Sequence, residues 1–145
     1  MKTPIEIRFP GGVAVDADVH GFTVHTDQPQ AYGGDGSGPA PFDLFLASIG
    51  TCAGFYALRF CQERKIATAG MALRMTLAKD PATAGSVRLE LTLPAGFPDK
   101  YIGAVVRAMD QCAVKRALLD PPVFEVSAVA AAQRFSNVIA AEFMQ

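Results

Sequence analysis

Alternation of apolar and polar residues with a period of two marks several stretches of this chain as β-strands. Gly11-Gly12 has the composition of a tight turn between the first two strands, and residues 80–85 have that of a hairpin-like connection between two later ones. We therefore expect antiparallel pairing. The predicted strands are residues 5–9, 13–19, 22–26, 71–77, 86–93 and 124–129.

Two longer segments, residues 41–65 and 98–119, are predicted to be helices. The first begins at Pro41, a residue favoured in the first helical turn, and over residues 44–58 it is apolar on nearly every side. A helix that is apolar all round is buried in a core or at a subunit interface. The second helix ends before a pair of prolines, and residues 130–145 are predicted to form a short closing helix.

These elements predict an α+β fold in one domain over residues 1–145. Half of the chain is apolar, and its net charge of -1 favours neither nucleic acid nor an anionic membrane surface. The apolar run 44–58 is shorter than the roughly 20 residues that a membrane span needs. The first residues lack a secretory signal's apolar segment, and three cysteines in such a chain indicate a reducing compartment. We expect a soluble cytoplasmic protein.

The cysteines are the main candidates for chemistry. Cys52 lies within the apolar helix, where a thiol can be inert packing or a shielded nucleophile, and the sequence leaves both readings open. Cys112 has Lys115 and Arg116 three and four residues on, where a cation favours thiolate over thiol. Cys61 faces away from Cys52 and is interpreted as packing. Helical spacing puts on the face of Cys52 the residues Phe45, Ser48, Ile49, Phe55, Tyr56 and Arg59.

Other constellations are weaker. His20 and His25 lie five residues apart on or beside a strand and so on opposite faces, which disfavours a shared metal site. The glycine-rich segment 33–38 precedes a helix, where backbone N–H groups can hold an anion, but it lacks the Lys-Ser/Thr of a P-loop and a flexible connection is favoured. Ser48 and Thr51 have no neighbouring histidine in the sequence, which disfavours a serine hydrolase.

Two motifs resemble those of one known family. Residues 33–52 resemble the central helix of the OsmC/Ohr family, the osmotically inducible and organic hydroperoxide resistance proteins. Residues 110–115 resemble that family's second cysteine motif, usually Cys-Pro-Val, with Ala113 in the place of the proline. The likeness extends over about residues 5–130. It implies an intertwined homodimer, in which sheets from both subunits wrap two central helices around a thiol peroxidase site at the interface.

The resemblance also implies roles for individual residues. Cys52 would be the peroxidatic thiolate and Cys112 the resolving thiol, with a dithiol or lipoyl-type reductant as partner and with neither a metal nor a bound cofactor. An apolar wall at the interface would favour organic hydroperoxides over hydrogen peroxide, because an alkyl group gains burial energy there. The residues assigned to this wall are Phe42, Phe45, Phe55 and Tyr56.

One departure from the family pattern concerns activation of the thiol. The family carries a glutamate ten residues before the first cysteine, paired with an arginine, whereas Phe42 stands at this position here. The chain therefore resembles the OsmC-like branch that lacks the acidic partner. Arg8 is the nearest match to the arginine, and Arg59 and Lys115 are alternative activating cations.

A second function stays open beside the peroxidase: a non-catalytic dimeric protein that binds an apolar small molecule in the interface pocket, with the cysteines as lining.

Overall fold

The computed structural model describes residues 3–79 and 85–131. The strands predicted before residue 94 and the first helix are confirmed, with bounds that differ by a few residues. The strands are β1 (Glu6–Gly11), β2 (Ala14–Val19), β3 (Phe22–Thr26), β4 (Ala72–Ala78) and β5 (Ser86–Thr92). The helices are α1 (Pro41–Glu63), α2 (Ile102–Met109) and α3 (Ala113–Leu119), with 3-10 turns at Gln30–Tyr32 and Asp99–Tyr101.

The strands pair antiparallel, as predicted, and they form two sheets. In the first sheet β2 lies between β1 and β3, and the second sheet is the hairpin of β4 and β5. In the hairpin Leu73 stands opposite Leu91, and Met75 opposite Leu89, so that one apolar face packs against the core around α1. The mixture of antiparallel sheets and helices is the α+β class that the sequence predicts.

The core of the chain follows one stripe of α1. Its buried residues recur three or four positions apart, which places them on the side of the helix that packs against α2, α3 and β4. Two of them are alanines, whose small side chains let the neighbouring elements approach closely. The buried stripe is Ile49, Ala53, Ala57, Phe60 and Cys61, and the residues of α2 and α3 that complete the core are Val105, Met109 and Cys112.

Part of the remaining surface of α1 is apolar and is not covered by any of the described residues. Phe42 and Phe55 are more than half exposed, and Phe45 is also exposed. The helix as a whole, unlike the run 44–58, is long and apolar enough to cross a membrane by length and composition alone. The core helix of a soluble protein has the same features, and α1 packs its stripe against three other elements.

The helix predicted over residues 98–119 is not continuous, and this prediction was wrong. The chain makes a 3-10 turn, then α2, and then a corner at residues 110–112 before α3 begins. The backbone N–H groups of Gln111 and Cys112 donate to carbonyls three residues back, which closes α2, and Cys112 has an extended ψ of 114°. The apolar spacing continues across the corner through Val105, Met109 and Cys112, all buried, so the pattern conceals the break.

The predicted strand at residues 124–129 was also wrong for the isolated chain. Residues 121–130 form no ladder with either sheet, and the side chains of Phe124 and Val126 are exposed. A strand needs a neighbour for its backbone N–H and C=O groups, and the described part of this chain offers none here. The predicted closing helix falls almost wholly outside the described residues, as does most of the 80–85 connection.

The glycine-rich segment before α1 is held to the first sheet by the carboxylate of Asp27, rather than serving as a flexible connection. This buried carboxylate accepts hydrogen bonds from the backbone N–H of Gln28 (2.8 Å), Asp35 (3.1 Å) and Ser37 (3.1 Å), and from the Ser37 hydroxyl (2.8 Å). The hydrogen bonds from Ser37, followed by that from Gln28, lower the pKa of Asp27 to about 2. The segment does cradle an anion, but the anion belongs to the protein.

Acid should therefore weaken the fold through Asp27. Its folded pKa of about 2 lies below the ordinary value of 3.8, so its contribution to stability is complete above pH 3.8 and is lost as the pH falls through 2. We expect Asp27→Asn to lower the urea midpoint at pH 7, and this difference from wild type to shrink between pH 5 and pH 2. Asp35→Asn, an exposed carboxylate of the same segment, is the matched control. A difference that stays constant with pH would contradict the assignment.

The glycine-rich segment before α1 is closely packed, and this packing can be tested at Gly34. A Cβ added at Gly34 would lie 1.8 Å from the carbonyl oxygen of Gln28, whereas one at Gly103 would meet only the flexible end of Arg107, at 3.3 Å. We expect Gly34→Ala to lower the free energy of unfolding by about 2 kcal/mol, and Gly103→Ala in α2 to raise it by up to about 1 kcal/mol. Urea unfolding followed by circular dichroism measures both changes, and equal effects would contradict the packing described here.

Candidate functional site

Cys52 and Cys112, sixty positions apart in the chain, meet where α3 begins against the side of α1. Cys52 is partly buried on α1, whereas Cys112 is fully buried at the residue that precedes α3. The Cys112 thiol lies beside Cys52, close enough for each to influence the pKa of the other. The Cys112 thiol donates a hydrogen bond to the carbonyl oxygen of Ile49 at 3.9 Å, one turn before Cys52.

The corner between α2 and α3 fixes this geometry. Cys112 is the cap residue of α3, and its sulfur accepts a hydrogen bond from the backbone N–H of Lys115 at 3.4 Å. Hydrogen bonding by the next N–H groups in the chain, those of Val114 and Ala113, is among the causes that lower the pKa of Cys52. A continuous helix would bond its N–H groups within itself, so the break makes these main-chain donors available.

The environment makes Cys52 the more acidic of the two thiols. Burial opposes ionisation of Cys52, but the hydrogen bonds from Val114 N–H, from the Cys112 thiol and from Ala113 N–H outweigh it and lower the pKa of Cys52 below its ordinary value. Burial raises the pKa of Cys112, and the neighbouring Cys52 acts in the same direction.

The predicted thiolate character of Cys112 was therefore wrong. The ammonium of Lys115 does not contact the sulfur but pairs with Asp110, at an Nζ–Oδ1 distance of 2.6 Å. Only the backbone N–H of Lys115 reaches Cys112, and burial outweighs this bond. Cys61 is fully buried in the core, and burial raises its pKa despite the nearby charge of Arg64, in agreement with a packing role.

The other two candidate cations also pair with carboxylates in the single chain. Arg8 in β1 lies 3.8 Å from Asp18 in β2, and Arg59 in α1 lies 3.1 Å from Glu63 one turn later. Neither contributes to the lowered pKa of Cys52, whose causes are burial, main-chain donors and the neighbouring thiol. Within the described residues, the causes that lower the pKa of Cys52 are therefore hydrogen bonds, and no charged side chain is among them.

The four aromatic residues predicted to wall a pocket lie on α1 without enclosing one in the single chain. Phe42 and Phe45 stack on each other with ring centroids 5.4 Å apart, and Phe55 meets Tyr56 edge to face, also at 5.4 Å. Phe42, Phe45 and Phe55 are exposed because nothing in the described residues covers that face of the helix, while Tyr56 packs partly against the core.

An apolar cleft of about 490 Å³ lies instead on the α3 side of the cysteine pair. It begins at Ile49, whose carbonyl contacts Cys112, and extends between β5 and α3. The sequence did not identify this cleft, since it depends on the position of α3 after the corner. Its lining residues are Ile49, Val87, Leu89, Asp110, Lys115, Arg116, Leu118 and Leu119.

A cluster of polar side chains that the sequence did not predict lies at the edge of the first sheet. His25 Nδ1 is 2.6 Å from Asp16 Oδ1, and His25 Nε2 is 2.9 Å from the Ser37 hydroxyl, an order that resembles the triad of serine hydrolases. The single hydroxyl proton of Ser37 is donated to Asp27 at 2.8 Å, so it is not available to His25 as a base. The cluster therefore ties the segment before α1 to the sheet.

The part of the chain that the structure describes contains no metal-binding site. No group of three or more His, Cys, Asp or Glu side chains there could hold a metal ion.

Solved structures with the same fold include proteins of stress response. One from Psychrobacter arcticus, described as an osmotic stress induced and detoxification response protein, is 20% identical, has a TM-score of 0.66 and matches 79% of this chain and 87% of its own. One from Legionella pneumophila, described as an organic hydroperoxide resistance protein OsmC, is 20% identical over 80% and 89% of the two chains, with a TM-score of 0.53.

A third solved structure, from Vibrio cholerae, is described as an organic hydroperoxide resistance protein with captopril bound in one of the active sites. It is 18% identical over 81% of this chain and 85% of its own, with a TM-score of 0.53. Comparison with curated proteins finds no significant sequence match. The family model of the OsmC-like proteins matches residues 34–127, which include the central helix and both Cys52 and Cys112. The chain belongs to the OsmC-like protein family.

Proposed function

We propose that the protein is a thiol-dependent peroxidase that reduces organic hydroperoxides. The observation that carries this proposal is that Cys112, fully buried at the corner before α3, lies beside Cys52, a thiol whose pKa is lowered. A nucleophilic thiolate with a second thiol in contact is the arrangement that a two-cysteine peroxidase requires. The names of the relatives, as hydroperoxide resistance proteins, agree with this chemistry.

The reaction would proceed in three balanced steps. The Cys52 thiolate attacks the terminal oxygen of the hydroperoxide R–O–OH, the O–O bond breaks, and the leaving alkoxide takes a proton to become the alcohol, so that Cys52 becomes a sulfenic acid. The Cys112 thiol then attacks the Cys52 sulfur, a disulfide forms and water leaves. A dithiol of the lipoyl type reduces the disulfide by exchange, which restores both thiols and oxidises the dithiol.

The apolar cleft supports an organic rather than an inorganic hydroperoxide. Ile49, Leu89 and Leu118 line it on three elements, so an alkyl or aryl group placed there leaves water. Each buried methylene of the substrate would contribute about 0.8 kcal/mol to binding, a gain that hydrogen peroxide cannot make. A non-catalytic binding protein could use the same cleft, and measured turnover separates the two functions.

A homodimer is part of this proposal. Residues 3–79 and 85–131 leave uncovered the apolar face of α1 around Phe55, as well as Phe9 and Phe22 of the first sheet and the segment of Phe124 and Val126. Exposed apolar surface on this scale favours a second copy as its cover. Such a cover would also bring the exposed aromatic residues of α1 into an interface beside the thiols.

Turnover tests the proposed chemistry directly. We expect wild-type protein to consume cumene hydroperoxide with dihydrolipoamide as reductant, Cys52→Ser to fall to the uncatalysed rate, and Cys61→Ala, a matched control within the same helix, to retain activity. In Cys112→Ser the sulfenic acid at Cys52 should persist and be trapped by dimedone, which peptide mass spectrometry detects. Equal rates for wild type and Cys52→Ser would refute the peroxidase, and binding of cumene alcohol without turnover would support the binding protein instead.

The oligomeric state tests the homodimer separately. Sedimentation velocity should give twice the chain mass for wild type and for the control Gln30→Glu, whose side chain is exposed in a 3-10 turn. Phe55→Glu should weaken association by at least about tenfold, because a carboxylate would be buried without a partner in the interface. A wild-type protein that sediments as one chain at micromolar concentration would contradict the dimer.

A further inference from the structure

We propose that the ion pair between Asp110 and Lys115 limits the length of the apolar group that the cleft beside the cysteines accepts. The inference rests on the proposed function, because it concerns the cleft to which the organic part of the hydroperoxide is assigned. It gives Lys115 a role in the selection of substrates rather than in the activation of a thiol.

A second, smaller apolar cleft adjoins the first. It has a volume of about 210 Å³, against about 490 Å³ for the first cleft, and it lies between β5 and α2, where Leu91 and Val106 are among its lining residues. Three residues line both clefts, namely Leu89, Asp110 and Lys115. Residues that two clefts share lie between them, so these three side chains form the boundary.

The ion pair closes this boundary from the corner between α2 and α3. The ammonium of Lys115 lies 2.6 Å from the carboxylate of Asp110, five positions earlier in the chain. The backbone N–H of Lys115 donates to the Cys112 sulfur at 3.4 Å, which fixes the start of the lysine side chain beside the cysteines. That side chain is only 29% exposed, in agreement with an aliphatic portion that lies along the apolar lining of the clefts.

The boundary selects by length because its polar part resists the passage of an alkyl group. A long group that extended from the first cleft into the second would have to pass Asp110 and Lys115 and remove water from their charges, which is unfavourable. A shorter group ends within the first cleft and leaves the pair intact. Leu89, the apolar part of the boundary, packs against the core and stays in place.

Lys115→Ala removes the ammonium and most of the aliphatic chain but keeps the N–H that bonds to Cys112. An isolated ion pair near the surface contributes little to stability, and the Asp110 side chain left behind is 67% exposed to water, so the variant should fold. The double variant Asp110→Lys with Lys115→Asp rebuilds the pair with its charges exchanged, and it is the matched control.

Binding of linear alcohols, the products of hydroperoxide reduction, measures the accepted length without requiring turnover. Hexan-1-ol and decan-1-ol are titrated into the ¹⁵N-labelled full-length chain, and amide shifts report both the affinity and the cleft that is occupied. We expect hexan-1-ol to bind wild type and Lys115→Ala equally. Decan-1-ol should bind Lys115→Ala at least about tenfold more tightly than wild type, because each methylene that enters the second cleft adds about fourfold in affinity.

The position of the longer alcohol is tested in the same titrations. In Lys115→Ala, decan-1-ol should shift the amides of Ile102 and Val106 on α2, which hexan-1-ol should leave unchanged. Adding Val106→Asp, a change at a residue that is 53% exposed, should abolish the gain for decan-1-ol and leave the affinity for hexan-1-ol as it was. The charge-exchanged double variant should bind both alcohols as wild type does.

An affinity for decan-1-ol that is the same in wild type and Lys115→Ala, or an equal gain for both alcohols, would overturn the inference. A charge-exchanged variant that behaves like Lys115→Ala would also overturn it. Should Lys115→Ala fail to fold, Asp110→Ala releases the lysine without altering α3 and is held to the same outcomes. Absence of peroxidase turnover with the expected binding profile would refute the proposed function and leave this inference standing, whereas turnover without the profile would do the reverse.

Discussion

The packing of Cys112 against the turn of α1 that carries Ile49 and Cys52 is the contact on which the site depends. It requires the chain to break the helix at residues 110–112, so that Cys112 can turn inward against α1. It also requires the small residues of the buried stripe, such as Ala53 and Ala57, to let the neighbouring elements approach the helix closely. The packing of the core and the acidity of one thiol thus have the same structural origin.

Much of the fold could be predicted from the sequence because its signals are local. Alternation with period two located β1 to β5, and a long apolar run located α1, because both patterns are formed by residues close together in the chain. The break between α2 and α3 could not be predicted in this way. Val105, Met109 and Cys112 are buried at spacings that a continuous helix would also give, and the corner depends on the contact with α1.

The same distinction between local and long-range signals applies to the candidate site. Cys52 and Cys112 could be identified from residue type and family resemblance, and the structure brings them together. The sequence could not predict which of the two thiols has the lower pKa. That order depends on burial and on main-chain hydrogen-bond donors, neither of which is encoded by the type of residue at one position. Lys115 illustrates the difficulty: its spacing indicated a cation beside Cys112, but its ammonium is closer to Asp110 and only its backbone reaches the sulfur.

The unequal exposure of the two sulfurs affects how an oxidised site could be restored. Cys112 is fully buried, whereas Cys52 remains partly open to solvent. If a bridge joined them, an incoming dithiol could reach only the outer sulfur, so the mixed disulfide would form at Cys52 and Cys112 would be the leaving group. The direction of electron entry would then be decided by steric access, with the concealed thiol always released first.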